Sequence, residues 1–333
     1  MGERSGVVVV GSANLDVVLA VEEIPRPGET VLARSRAEHV GGKGLNQAVA
    51  AARCGAATTF VGAVGDDGAG RRLREALAGA GVEVRTRLLE RPTGTALITV
   101  AASGENAIVV DPGANAGLTD LGPAELDVVR GAGHLLCQLE VPPATVAAAA
   151  AAAVSSGVVV VLNPSPVQPL PAGLLGDVDV LLVNEHEAAA LSGPRAGDGV
   201  EHAGSAVERA RTLVRRLLPD VPAVVVTLGA GGALVAVRDG APDGVHVPGL
   251  PVEAVDTTGA GDAFGGALVA ALEEARAHDG RAGGGAPGEA VLVAAARTAT
   301  AAAALSVQRH GAATSAPHRA DVEALLRESP GRR

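Results

Sequence analysis

The stretch AVVVTLGAGG, residues 223–232, runs four apolar residues without a break, then a threonine, a leucine and a glycine-rich turn. A strand with one wet face alternates apolar and polar residues, whereas a strand covered on both faces is apolar throughout. The same signature recurs at 7–10, 58–61, 134–139, 158–162 and 180–183, each run bounded by Gly, Pro or Asn. Between the runs lie helical stretches at 44–53, 70–81, 142–154, 185–191 and 207–217. Buried strands alternating with helices predict an α/β fold in three layers, with a mostly parallel central sheet between two layers of helices. In such sheets ligands gather beyond the carboxyl ends of the strands. That rule directs attention to Asn14, Asp16, Glu140, Asn163, Asn184, Thr227 and Gly229.

Two stretches depart from this alternation. Residues 17–40 and 95–110 read as shorter, partly alternating strands with turn signals at Pro25-Arg26-Pro27-Gly28 and Ser103-Gly104-Glu105-Asn106. They are expected to be two insertions that pair outside the main sheet as a small β lid on a single domain covering residues 1–333. The Gly-rich, charged segments 193–204 and 278–288 read as surface loops. No repeat of fixed period is present.

Composition narrows the function classes. The 333 residues are 47% hydrophobic and 19% charged, enough to bury a core, and the net charge is −10. An acidic chain is a poor general binder of nucleic acid, whose phosphates are held by clustered Lys and Arg. With no Trp, no Tyr and only Phe60 and Phe264, it has no platform for stacking bases. Cys54 and Cys137 stand far apart in apolar surroundings, which reads as two reduced core thiols. Neither the apolar run 7–10 nor the alanine tract 147–154 is long enough to span a bilayer. The expectation is a cytoplasmic protein with no membrane partner.

Several common site signatures are absent. Gly42-Lys43-Gly44 lacks the Ser or Thr of a P-loop, and Gly259-Ala260-Gly261 meets Phe264 where a dinucleotide fingerprint needs glycine. No GxSxG and no HExxH occurs. Attention passes to VDTTGAGDAFGGAL, residues 255–268, a glycine turn that feeds a helix with Asp262 at its start. A helix N-terminus presents unpaired N–H groups and the positive end of its dipole, a ready seat for an anion. Asp262 at that turn is either a general base beside a phosphoryl group or an ordinary N-cap residue. A second stretch, VGGKGLNQAVAAARCGA at 40–56, places Gly41, Gly42 and Gly44 ahead of a helix, with Lys43 and Asn46 as donors to ligand hydroxyls. Read alone, it is equally a glycine loop that opens a helix.

Together the two stretches resemble the two signature motifs of the ribokinase (PfkB-type) carbohydrate kinase family. Residues 41–65 fit the first motif and 256–269 the second. Further segments extend the resemblance over residues 7–317, among them GSANLD at 11–16, PTGTALI at 92–98, GENAIVVDPGAN at 104–115, QLEVP at 138–142, LNPSP at 162–166 and VNEHEA at 183–188. The resemblance implies a ribokinase-like fold and an ATP-dependent sugar kinase. Asp262 would be the catalytic base, with the amides of Gly259, Ala260 and Gly261 as the anion hole. Asn14, Asp16, Gly42, Lys43, Asn46 and Glu140 would bind the sugar. Asn184, Thr227, Gly229, Gly261 and Thr300 would lie along the nucleotide, with Glu187 linked to Mg2+. Asp256, Thr258, Ser306, Arg309, Gly311 and Ser315 match a K+ loop, largely through backbone carbonyls. Thr300 replaces a larger polar residue near adenine in relatives, and the 276–288 loop is longer than the family pattern.

Within that family, Asp16 and Glu140 would repel a sugar that already carries a phosphate. A nucleoside favours an aromatic wall, for which Phe60 and Phe264 are the only candidates. A neutral pentose remains, with ribose ahead of deoxyribose, fructose or adenosine as the substrate phosphorylated at O5. A sugar-binding sensor that has lost catalysis is the alternative from another class, and a homodimer joined through the lids is the expected assembly.

Overall fold

The computed structural model describes residues 5–193, 204–279 and 284–328. At the centre of the main sheet, β1 (Val7–Val10) lies between β4 (Thr58–Gly65) and β8 (His134–Gln138). Outside β4 comes β5 (Glu83–Leu89), and beyond β8 follow β9 (Val159–Asn163), β10 (Val180–Asn184) and β11 (Ala223–Thr227). These seven strands are parallel, while β12 (Gly232–Val237) and β13 (Val245–Pro248) finish one edge antiparallel. The chain starts in β1 and winds toward β5 in one direction and β11 in the other. The topological switch, where a crevice opens beyond the strand ends, is therefore beside β1 and β8.

Because successive strand residues face opposite ways, the valine runs feed two cores. Val7, Val9, Phe60, Leu136, Val161 and Leu182 pack on one side under α1 (Lys43–Arg53), α2 (Gly68–Gly79), α7 (Ala260–Asp279), α8 (Glu289–Ser306) and α9 (Arg319–Glu328). Val8, Val10, Cys137, Leu162 and Val183 pack on the other under α3 (Pro123–Gly131), α4 (Pro143–Val154), α5 (Glu185–Ser192) and α6 (Ala206–Leu217). This is the three-layer α/β/α arrangement read from the apolar runs. Helix α8 has the length and composition to cross a membrane, but it packs against α7, β12 and β13 with half its residues buried.

A second sheet of four strands contains β2 (Asn14–Ala20), β3 (Ser35–Gly41), β6 (Gly94–Val100) and β7 (Asn106–Asp111), in the order β3-β2-β6-β7. Both hairpins are antiparallel, but they are joined by parallel pairing of β2 with β6. Asn14 is paired with Gly41 on one side and Gly94 on the other, so all three chain crossings lie close together at the root of this sheet. Leu97, Ile108, Val109 and Val110 leave it with exposed apolar surface.

Elsewhere the structure revises the sequence reading. Residues 276–279, expected in a loop, continue α7, where Glu273 is paired with Arg276 one turn on. Residues 280–283 of that loop, and 194–203 of the segment 193–204, fall outside the described residues.

Candidate active site

Two chain crossings build the sugar side of the crevice. From β1 the chain passes through Gly11, Ser12 and Ala13 into β2, which brings Asn14 and Asp16 to the junction of the two sheets. Asn115 fixes that crossing: its Oδ1 accepts from the Ala13 amide at 3.0 Å and its Nδ2 donates to Asn14 Oδ1 at 2.7 Å. The returning strand β3 ends at Gly41, and Gly42 turns the chain into α1 with φ of +89°. A Cβ on Gly42 would come within 2.8 Å of the Asn14 amide nitrogen, so only glycine allows the two crossings to stack. Glu140, just past β8, ties the region together, its Oε2 accepting from Ser12 Oγ at 2.6 Å and from the Lys43 amide at 3.0 Å.

The Asp262 side chain turns away from the cap position. It lies in the first turn of α7, buried, and its carboxylate does not cap that helix. Instead Oδ2 accepts from Asn46 Nδ2 at 2.9 Å and Oδ1 from Gln47 Nε2 at 2.9 Å, both donors being side chains of α1. Oδ1 of Asn46 is buried with no partner among the described residues, an acceptor available to a ligand hydroxyl. Burial, together with the nearby Glu140 and Asp262 carboxylates, pushes the Asp16 carboxyl up to about 7. Three acidic side chains thus converge at this junction, where their charge disfavours an anionic group.

The glycine turn lies against Asp262. Gly259 has φ of +75°, and a Cβ there would press to 2.7 Å on Ala312. Of the three amides expected to form the anion hole, that of Ala260 is turned onto the Thr257 carbonyl at 3.2 Å, closing the turn. The N–H groups of Gly259, Gly261 and Asp262 find no acceptor among the described residues, so two of the three expected donors are unpaired and the Asp262 amide stands in the place of that of Ala260. From this turn a cleft of about 230 Å³ extends past Lys43, Asn163, Asn184, Glu187 and Thr227.

Asn184 and Glu187 form a reciprocal cap at the start of α5: Asn184 Oδ1 accepts from the Glu187 amide at 2.8 Å, and Glu187 Oε2 from the Asn184 amide at 2.9 Å. Both still line the cleft, so the pair is a helix start and a cleft wall at once. Gly229 lies in the exposed turn just after β11. Thr300 is not brought to the cleft lining; it is buried in α8 with its hydroxyl donating to the Ala296 carbonyl at 2.8 Å.

The residues expected around K+ are drawn together behind the glycine turn. Asp256 Oδ2 accepts from the Gly311 amide and Oδ1 from the Thr258 amide, each at 2.9 Å. Burial alone would raise the Asp256 carboxyl, but these bonds outweigh it and hold it below the ordinary range. Ser306 and Ser315 are buried, their hydroxyls donating to the Ala303 and Ala312 carbonyls. The Arg309 side chain points outward and lies 4.0 Å from Asp321.

Comparison with known proteins bears on this geometry. The family model described as pfkB family carbohydrate kinase matches residues 4–319. The chain belongs to the pfkB family of carbohydrate kinases. Within this family it is 36% identical to ribokinase of Haemophilus influenzae over 326 residues, covering 97% of this chain and 99% of that one. It is 37% identical to ribokinase of Bacillus subtilis over 329 residues, covering 96% and 99%. The solved structure of Arabidopsis thaliana ribokinase complexed with ribose and ATP superposes with a TM-score of 0.83 at 34% identity, covering 98% of this chain and 100% of that one.

Sequence reading passed over Gln47, Gln138, Ser12 and Asn115. A signal existed for the first two. Gln47 interrupts the small and apolar run of α1, and Gln138 ends an apolar strand, so each is a polar residue at a buried position.

Proposed function

We propose that this carbohydrate kinase transfers the γ-phosphoryl group of ATP to O5 of D-ribose, giving ribose 5-phosphate and ADP. The observation that carries the reading is Asp262, a buried carboxylate oriented by two amides of the sugar-side helix and next to a turn with unpaired N–H groups. Asp262 takes the proton of the attacking hydroxyl as the new P–O bond forms and the bond to the β-phosphate oxygen breaks. The Gly259, Gly261 and Asp262 amides stabilise the charge that develops on the phosphoryl oxygens. Asn14, Asp16, Asn46, Lys43 and Glu140 hold the sugar hydroxyls. Phe60 and Phe264 are both buried in the core, which leaves the cleft without an aromatic wall for a nucleoside. The ribokinase relatives and the ribose and ATP complex support the choice of substrates.

The donors suit the two ions that such a reaction uses. Glu187 offers a carboxylate on the cleft wall, sufficient for a Mg2+ ion that takes its remaining ligands from phosphates and water. For K+, Asp256, Ser315 and backbone carbonyls within 256–258 and 306–311 would supply the oxygen donors. When bound, Mg2+ would neutralise phosphate charge, and K+ would add a fixed positive charge behind the glycine turn. We place the enzyme in the cytoplasm, where its two unpaired thiols, Cys54 and Cys137, remain reduced. A homodimer through the second sheets would cover Leu97, Ile108 and Val109.

The test is ADP release with Mg-ATP and K+ across ribose, deoxyribose, fructose, fructose 6-phosphate and adenosine. The highest kcat/KM is expected for ribose. A preference for fructose 6-phosphate would overturn the reading of the acidic cluster.

A further inference from the structure

We infer that Gln138 and Gln47 form a two-amide relay that orients Asp262, making Gln138 a positioning residue for phosphoryl transfer. The inference rests on Asp262 being the base. Gln138 is the last residue of β8, fully buried, and its Nε2 donates to Gln47 Oε1 at 2.5 Å. Gln47 is also fully buried, and its Nε2 donates both to Asp262 Oδ1 at 2.9 Å and to Asn163 Oδ1 at 3.0 Å. Asn163 is anchored in turn, Nδ2 donating to the Leu182 carbonyl at 2.9 Å. The Gln47 amide therefore uses both its protons and one acceptor site.

The direction of this chain is its content. An amide can turn over and exchange its oxygen and nitrogen at little steric cost, and a Gln47 oxygen facing the Asp262 carboxylate would repel it. The NH2 group of Gln47 faces Asp262 because Asp262 Oδ1 and Asn163 Oδ1 accept its two protons, and the donor from Gln138 holds the Gln47 oxygen on the far side. Gln138 thus acts on the base through one intermediate.

The packing is arranged around both side chains. A Cβ on Gly11 would lie 2.1 Å from Gln138 Oε1, and one on Gly265 would touch Gln47 Cδ at 3.5 Å. Gln138 Oε1 is buried without a partner among the described residues. A leucine or methionine at 138 would fill the same volume and remove that oxygen, but it would leave the buried Gln47 Oε1 without its donor and with nothing on the far side to hold the amide's direction.

The experiment measures kcat, ribose KM and melting temperature for Gln138→Leu, Gln47→Leu, the double variant and Asp262→Asn, with Gln138→Met as a second apolar variant should leucine misfold. For Gln138→Leu we expect kcat to fall roughly 10- to 100-fold, the size of effect seen when a reacting group loses its orientation. Ribose KM should stay within about threefold, and the loss of kcat should persist well below a melting temperature that drops modestly because Gln47 Oε1 loses its donor. The double variant should be no slower than Gln47→Leu, since both substitutions break one chain. If Gln138→Leu and Gln138→Met turn over within about twofold of the wild type while Asp262→Asn is crippled, the relay is wrong and the base stands. If Asp262→Asn itself keeps its kcat, the base reading falls and takes the relay with it.

Discussion

Helix α7 carries two buried carboxylates, Asp262 and Glu273, 11 residues or roughly 16 Å apart along its axis. They serve opposite ends of the main sheet and are treated differently. At the far end Glu273 meets an imidazole, a guanidinium and an amide: His134 Nδ1 at 2.8 Å, Arg276 Nη2 at 2.9 Å and the Gly6 amide at 2.7 Å. Burial alone would raise its carboxyl, but these partners outweigh burial and hold it at about 2. Asp262, by contrast, is held by neutral amides only and borders the cleft. A carboxylate neutralised by a cation is a strut, because taking a proton would cost it that partner. One held by neutral donors, with acceptor sites left open to the cleft, is oriented and still able to accept a proton from a ligand.

Removing the charge at Glu273 should separate stability from chemistry. Breaking a buried ionic cluster costs about 3 kcal/mol, so in a chain of 333 residues Glu273→Gln should lower the melting temperature by roughly 4 °C. Its kcat, measured well below melting, should change less than about twofold. The sign with pH follows from the depressed carboxyl. Its contribution is complete above the unfolded value of 4.5 and is lost as pH falls toward about 2. Calorimetric scans should show this acid loss in the wild type and less of it in Glu273→Gln. An equal loss in both would erase the contrast between the two carboxylates.

Asp16 sharpens the comparison with an effect of opposite sign. Its carboxyl is raised from 3.8 to about 7, so the folded, ligand-free protein binds more protons than the unfolded chain across that window. Stability should therefore decline as pH climbs from about 4 to about 7. Asp16→Asn should remove this slope and melt a few degrees higher than the wild type at pH 8, while ribose KM rises. A slope unchanged in Asp16→Asn would mean that Asp16 is not strained by its acidic neighbours.

Much of this was legible from the letters. The unbroken valine runs gave the parallel sheet because only strands covered on both faces dispense with polar residues. The glycine turn before Asp262 announced a helix start with unpaired N–H groups, and those of Gly259, Gly261 and Asp262 find no acceptor among the described residues. The edge strands were harder. Residues 83–89 alternate Glu83, Arg85 and Arg87 with less polar neighbours, as an edge strand should, but charged runs of that length also suit a helix end. The hairpin β12–β13 depends on antiparallel return at a sheet edge, a property of the assembled sheet rather than of 232–248 alone. Least legible was the support of Asp262. Gln47 and Gln138 are 91 residues apart, and Gln47 and Asp262 are 215 apart, so their meeting is a product of the topology. Ala260 shows a different limit: its amide was expected to face the ligand, but a one-residue difference in how the turn closes directs it to Thr257.

The most direct test of the account is the kcat of Asp262→Asn at saturating ribose and Mg-ATP, with ribose binding followed by calorimetry. A fall of about 100-fold or more with binding retained is the predicted result, since the amide keeps the shape and loses the basic oxygen. Turnover within about threefold of the wild type would contradict it, and would move the proton acceptor away from α7.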